Sequence, residues 1–147
     1  MELKPLLDKI PFFAQFTDGE KERILRMNCY FAKYKAGDFI IREGSLDNNS
    51  MYIILKGGAH VTQNPFPDTP IATLEAGTVV GEISFLTLQP RISNVVAREP
   101  TVCFTINGAT MEDLPSPLQH KIKDRLIEIL VKRLETMNQT LVDLMRR

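Results

Sequence analysis

The chain has 147 residues, with 18 lysines and arginines against 18 aspartates and glutamates, so its formal net charge is zero. At this length, and with 44% apolar residues, it makes one domain, or one domain with an appended helix, and needs no metal or disulfide staple. No apolar run approaches the ~20 residues that span a bilayer, MELKPLLDKI has no signal-peptide pattern, and a neutral chain lacks the broad basic face that binds nucleic acid by counterion release.

Along the chain, Leu6, Leu7, Ile10, Phe12, Phe13 and Phe16 predict an amphipathic piece interrupted by Pro11. Thr17-Asp18-Gly19-Glu20 has the spacing of a capping box, so a short helix is predicted to open near Asp18, with Ile24, Leu25 and Met27 as its apolar stripe. From Tyr30 onward the texture changes to short β-type runs at 30–34, 39–42, 51–56, 59–63, 71–74, 94–98 and 101–106. Turn signals separate them: Ala36-Gly37-Asp38, the stretch 44–50, Gly57-Gly58, the stretch 64–70, Ala76-Gly77 and Glu99-Pro100. Seven or eight strands spaced this closely predict an antiparallel sandwich or barrel, because a doubly wound sheet would need helices between its strands.

Ser116-Pro117-Leu118-Gln119 combines an N-cap Ser, Pro at the first helical position and Gln at the third, a strong helix start, and no Gly or Pro follows it. A helix from Pro117 almost to the terminus would be about 40 Å long. Within it Ile127, Leu130, Leu134, Met137, Leu141 and Leu144 recur at alternating steps of three and four, which is a coiled-coil seam. A second stripe, Ile122, Leu126 and Ile129, lies beside the seam and could face the chain's own core. The alternative is one wide stripe packed entirely on the same chain, but a sandwich of this size is too short to cover the whole helix, so a two-fold homodimer through it is predicted.

Cys29 and Cys103 stand 74 positions apart without a CxxC spacing, each in an apolar-aromatic stretch, and are expected to be buried thiols. His60 and His120 are isolated from other ligating residues, so no metal is expected. No GxSxG, HExxH or GK[ST] phosphate-loop motif occurs, and neither catalytic residues nor a cofactor are expected.

The stretch from Val80 to Val95 breaks the strand pattern with a Gly81-Glu82 step, about one helical turn of residues, and a Pro90-Arg91 step leading into the next strand. Glycine lets main-chain N–H groups approach a ligand closely, and the start of a short helix favours an anion. Arginine offers a planar fork of donors to phosphate oxygens. An ionised Glu82 can accept a hydrogen bond from a sugar hydroxyl. The set suits a small sugar phosphate; charge spacing alone favours a plain ion pair between Glu82 and Arg91 at the end of the sheet, since surface ion pairs are common and weak.

These features, with Gly37-Asp38-Phe39-Ile40-Ile41-Arg42-Glu43-Gly44, Met51-Tyr52-Ile53-Ile54-Leu55-Lys56-Gly57, and Ile71-Ala72-Thr73-Leu74 with Gly77, resemble the cyclic-nucleotide-binding domain family. That family includes catabolite activator protein and the regulatory subunits of protein kinase A. The likeness runs over about residues 10–144, and the glycines at 37, 44, 57, 77 and 81 together make it specific. It implies a β jelly roll with flanking helices in a single domain: N-terminal helices over about 1–29, jelly roll over 30–106, and C-terminal helix over 116–147.

The resemblance also implies roles. Arg91 would pair with the cyclic phosphate and Glu82 with the ribose 2′-hydroxyl, while main-chain N–H groups near Ile83, Ser84 and Ile92 would meet the phosphate-ribose edge. Gly81 and Ser93 belong to the same cassette, and Met137 and Asn138 fall near the position that meets the purine in bacterial activators. Leu88 stands where many members have Gly, Ile92 where Ala, Ser or Thr is usual, and Ser93 where Ala is usual. Without Thr at 92, cAMP is expected over cGMP. The long helix is not followed by a helix-turn-helix within these residues, so direct nucleic-acid binding and a membrane partner are not expected. The expected protein is a cytoplasmic, non-enzymatic cAMP sensor that signals to an unknown downstream protein through its C-terminal helix. The alternatives are a jelly-roll interaction protein with a degenerate pocket, and a regulator of transcription acting in trans.

Overall fold

The computed structural model describes residues 4–26, 30–47 and 49–147. Two compact units divide the chain, Met1–Asp113 and Leu114–Arg147.

The first unit opens with α1 (Lys4–Asp8) and a 3-10 turn at Pro11–Phe13, the break expected from Pro11, followed by α2 (Asp18–Arg26). The capping box at Thr17 forms in both directions: the Glu20 N–H donates to Thr17 Oγ1 at 3.1 Å, and the Thr17 N–H donates to Glu20 Oε1 at 2.8 Å. Lys21, largely buried, donates to Asp8 at 2.8 Å and so ties α2 to α1. Hydrogen bonds from Lys21 and then Lys4 hold the Asp8 carboxyl below the usual carboxylate range. Phe13 is fully buried, with its ring 5.0 Å from Phe12, 5.5 Å from Phe16 and 6.1 Å from Phe104, so these aromatics dock the N-terminal segment on the sheet. The stripe position Met27 and the thiol of Cys29 lie outside the described residues.

Eight strands are described: β1 (Tyr30–Tyr34), β2 (Phe39–Ile41), β3 (Ser50–Lys56), β4 (Gly58–Thr62), β5 (Ala72–Glu75), β6 (Val79–Val80), β7 (Asn94–Ala97) and β8 (Thr101–Asn107). They form two four-stranded antiparallel sheets, ordered β1-β8-β3-β6 and β2-β7-β4-β5. Strand 1 lies beside 8, 2 beside 7, 3 beside 6 and 4 beside 5, as when one long hairpin is rolled into two layers. This is the jelly roll. Ile40, Ile41, Ile54, Ala59, Val80, Val95, Ala97 and Cys103 form its core. Cys103 is a free buried thiol, and burial pushes its pKa up to about 12.

Several boundaries differ from those read in the sequence. β2 ends at Ile41 because Arg42 leaves the ladder and stacks over the Phe39 ring, 3.9 Å from its centroid. β4 and β5 are displaced by a residue, in the register that pairs Gly58 with Glu75. β6 is only two residues long, below the reach of any period-2 pattern. A helix α4 (Gly108–Asp113) follows β8, its start capped by Asn107 Oδ1 accepting from the Thr110 N–H at 2.8 Å.

The second unit is the helix α5 (Ser116–Met145), 30 residues long, or about 45 Å. Leu118, Ile122 and Leu126 are its buried residues. The seam residues Ile127, Leu134, Met137, Leu141 and Leu144 are each more than half exposed. No helix among the described residues is long and apolar enough to cross a membrane.

Candidate functional site

β6 delivers the chain to Gly81, which turns it into α3 (Glu82–Thr87). Gly81 has φ 77°, and a Cβ there would stand 2.8 Å from Arg91 Nη1 and 3.0 Å from Ile41 Cδ1. Glycine is therefore required both by the backbone conformation and by the closeness of the guanidinium. The other glycines of the motif, 37, 44, 57 and 77, also have positive φ. Leu88 closes α3 in the same left-handed region, at φ 58°, with its N–H donating to Ser84 O at 2.7 Å. A leucine holding the backbone in the left-handed region carries about 1 to 2 kcal/mol of local strain.

The first turn of α3 presents the N–H groups of Ile83 and Ser84, which precede the Phe85 N–H donated to Gly81 O at 3.1 Å. Glu82 and Ser84 are each 3% exposed, and the Ser84 hydroxyl donates to Pro90 O at 3.4 Å across the cassette. Ile83 and Ile92 are exposed and Ser93 is half-buried.

Arg91 is only 4% exposed, so it is not half of a surface ion pair. Its Nε donates to Asp47 O at 2.9 Å, Nη1 to Gly81 O at 3.0 Å and Nη2 to Ser50 O at 2.7 Å. Those bonds leave one hydrogen on each terminal nitrogen for a further acceptor. The Arg91 main chain is clamped as well, its N–H donating to Ser45 O at 3.0 Å and its carbonyl accepting from the Gly44 N–H at 2.7 Å. The guanidinium lies 5.9 Å from the Tyr52 ring centroid. Burial raises the Tyr52 pKa and the Arg91 charge opposes that rise. Arg91, Tyr52, Asp47, Ser45, Arg42 and β2 line a cavity of about 190 Å³.

Of the seven residues expected in the cassette, Arg91 is bonded to Gly81 O and lines the cavity, and Ser84 is tied to Pro90 O; Glu82, Ile83, Ile92 and Ser93 are not among the residues that line the cavity. Met137 and Asn138 lie on α5 in the second unit, both exposed. Sequence reasoning missed Ser45, Asp47 and Ser50, which hold Arg91 through carbonyl oxygens that any residue type supplies. It also missed Asn94, whose side chain accepts from the Glu43 N–H at 2.8 Å. Among the described residues no group of three His, Cys, Asp or Glu could hold a metal ion.

The model of the cyclic nucleotide-binding domain family matches residues 31–116, and the chain belongs to that family. It is 30% identical over 105 residues to a cGMP-dependent protein kinase of Plasmodium berghei, covering 71% of this chain and 12% of that protein. Among solved structures it is similar to the regulatory subunit of a cAMP-independent protein kinase A from Trypanosoma brucei, with 25% identity, a TM-score of 0.73, and coverage of 86% of this chain and 44% of the other. It shares the fold of Thermus thermophilus catabolite activator protein, with 24% identity, a TM-score of 0.77, and coverage of 91% and 62%. The chain spans only 11 to 13% of the length of the first three cGMP-dependent kinases it matches.

Proposed function

We propose that this chain is a cytoplasmic, non-catalytic sensor that binds a cyclic nucleotide, cAMP in preference to cGMP, and signals occupancy through α5 to a downstream protein. The observation that carries the reading is the burial of Arg91 and Glu82 within one short segment, Glu82 opening α3. In this reading the two remaining hydrogens of the Arg91 guanidinium take the cyclic phosphate, Glu82 accepts from the ribose 2′-hydroxyl, and the Ile83, Ser84 and Ile92 N–H groups complete the phosphate-ribose edge. Gly81 and Ser93 shape the two ends of the cassette.

The preference for cAMP rests on Ile92, which offers no side-chain hydroxyl. Several relatives are named as cGMP-dependent kinases, so the purine is the point to be measured. The exposed seam of α5 fits a second copy of the chain, giving a homodimer whose docking changes as ligand shifts the population between two poses of the helix.

Calorimetric titration with cAMP, cGMP and cyclic dinucleotides tests the reading. Binding with cAMP tighter than cGMP is expected. Tighter cGMP binding would reverse the preference. No heat and no thermal shift with any of them would leave a jelly-roll interaction protein in place of a sensor.

A further inference from the structure

Resting on that reading of the cassette, we propose that Asn94 is the positioning residue that sets Arg91 for the phosphate. Asn94 opens β7 three residues after Arg91 and is 3% exposed. Its Oδ1 accepts from the Glu43 N–H at 2.8 Å, while Nδ2 donates to Thr62 Oγ1 at 3.3 Å and to Asn64 Oδ1 at 3.1 Å. The Glu43 N–H needs an acceptor, which fixes the way the amide faces and leaves both Nδ2 hydrogens to the end of β4.

The segments Asn94 joins are those that hold Arg91. Glu43 is followed by Gly44 and Ser45, which clamp the Arg91 main chain in both directions, and Asp47 from the same loop and Ser50 at the start of β3 supply carbonyls to the guanidinium. On the other side, Gln63 follows Thr62 and its Nε2 donates to Ile92 O at 3.4 Å. One carboxamide therefore pins the loop before β3 and the end of β4 against the arm that carries Arg91 and Ile92. Asparagine is depleted in strands, and what this position requires is an acceptor and two donors on one short side chain. The ligand gains because the guanidinium reaches it already oriented, with less ordering left to be done on binding.

The full-length chain carrying Asn94→Ala is compared with wild type by amide hydrogen exchange without ligand and by calorimetry with cAMP and cGMP. Exchange at Gly44 and Arg91 is expected to speed up about tenfold or more while the β1–β8 ladder stays protected, and affinity to weaken about 10- to 100-fold. Asn94→Asp keeps the acceptor for Glu43, and the Thr62 hydroxyl and Asn64 amide can turn donors toward it. It should restore both readouts to within about threefold. If Asn94→Ala does not fold, Asn64→Ala removes one of the three bonds and is expected to show the same pattern with smaller factors. In an Arg91→Lys background the affinity cost of Asn94→Ala should shrink, since Asn94 acts through Arg91.

Unchanged exchange at Gly44 and Arg91, faster exchange everywhere alike, or an undiminished cost in the Arg91→Lys background overturns the proposal. A wild-type chain that binds no cyclic nucleotide overturns the sensor reading instead, and the exchange comparison still decides whether Asn94 positions Arg91.

Discussion

Arg91→Ala separates two jobs that one side chain performs. It removes three bonds from a charged donor to main-chain carbonyls, at 2.7 to 3.0 Å. Taken singly each such bond contributes about 1.5 to 3 kcal/mol, but the three share one group and do not add. Arg91 and Asp47 also line the cavity of about 190 Å³, so water can reach part of what the truncation exposes. A net loss of about 2 to 4 kcal/mol follows. For a chain of this length the melting temperature should fall by about 4 to 16 °C.

The second job shows in the ligand response. A ligand at 100 times its dissociation constant adds about 2.7 kcal/mol to the stability of the form it binds, and the wild-type melting temperature should rise by about 5 to 11 °C. Differential scanning fluorimetry with and without cAMP reads both effects, and calorimetry at 25 °C checks the affinity of the folded fraction. Arg91→Lys keeps a point charge without the planar fork. It should recover part of the ligand response and little of the baseline melting temperature. An alanine variant as stable as wild type would refute the bracing of Asp47 and Ser50 by Arg91. One that keeps the full ligand response would leave Arg91 as a strut and remove it from the phosphate.

Three further outcomes are expected. Thr17→Ala breaks the capping box at the start of α2 and should cost about 0.5 to 2 kcal/mol, read as a lower denaturant midpoint; no change would mean that the cap adds nothing to the hold of Lys21 and buried Ile24 on α2. Leu134→Glu places a charge in the exposed seam of α5 and should convert a dimer to monomer in sedimentation velocity, whereas a wild-type chain already monomeric at the same concentration would remove the seam from self-association. Cys103 titrates near pH 12 when folded, above its ordinary 9.0, because burial disfavours the thiolate. The stability from keeping it neutral is full below about pH 9 and declines as pH rises toward 12. In a Cys29→Ser background a thiol reagent at pH 8 should label Cys103 only on unfolding, and rapid native labelling would contradict its burial.

What could be read early was local chemistry. The capping box at Thr17 and Glu20 and the break at Pro11 each depend on neighbours within a few residues, and each formed. The long helix also starts where Ser116-Pro117 signals it, but its N-cap is Pro115, with no side-chain cap hydrogen bond, and Ser116 is already helical. The Gly81-Glu82 step and Arg91 could be picked out because glycine, carboxylate and guanidinium are distinctive in such a short span. β6 was too brief for a period to show. The start of α4 was signalled only by Asn107 before Gly108, a cap that the strand texture of β8 obscured.

The chain's own residues determined a neutral, mainly β protein with one charged cassette and a long apolar-seamed helix, because composition, periodicity and capping act over short distances. Only the tertiary structure decided what surrounds that charge. The rolled hairpin brings Asp47 and Ser50 to Arg91, and Glu43 and Asn64 to Asn94, from 30 to 51 positions away. The partners it supplies are mostly carbonyls and N–H groups, which every residue carries and no sequence pattern can mark.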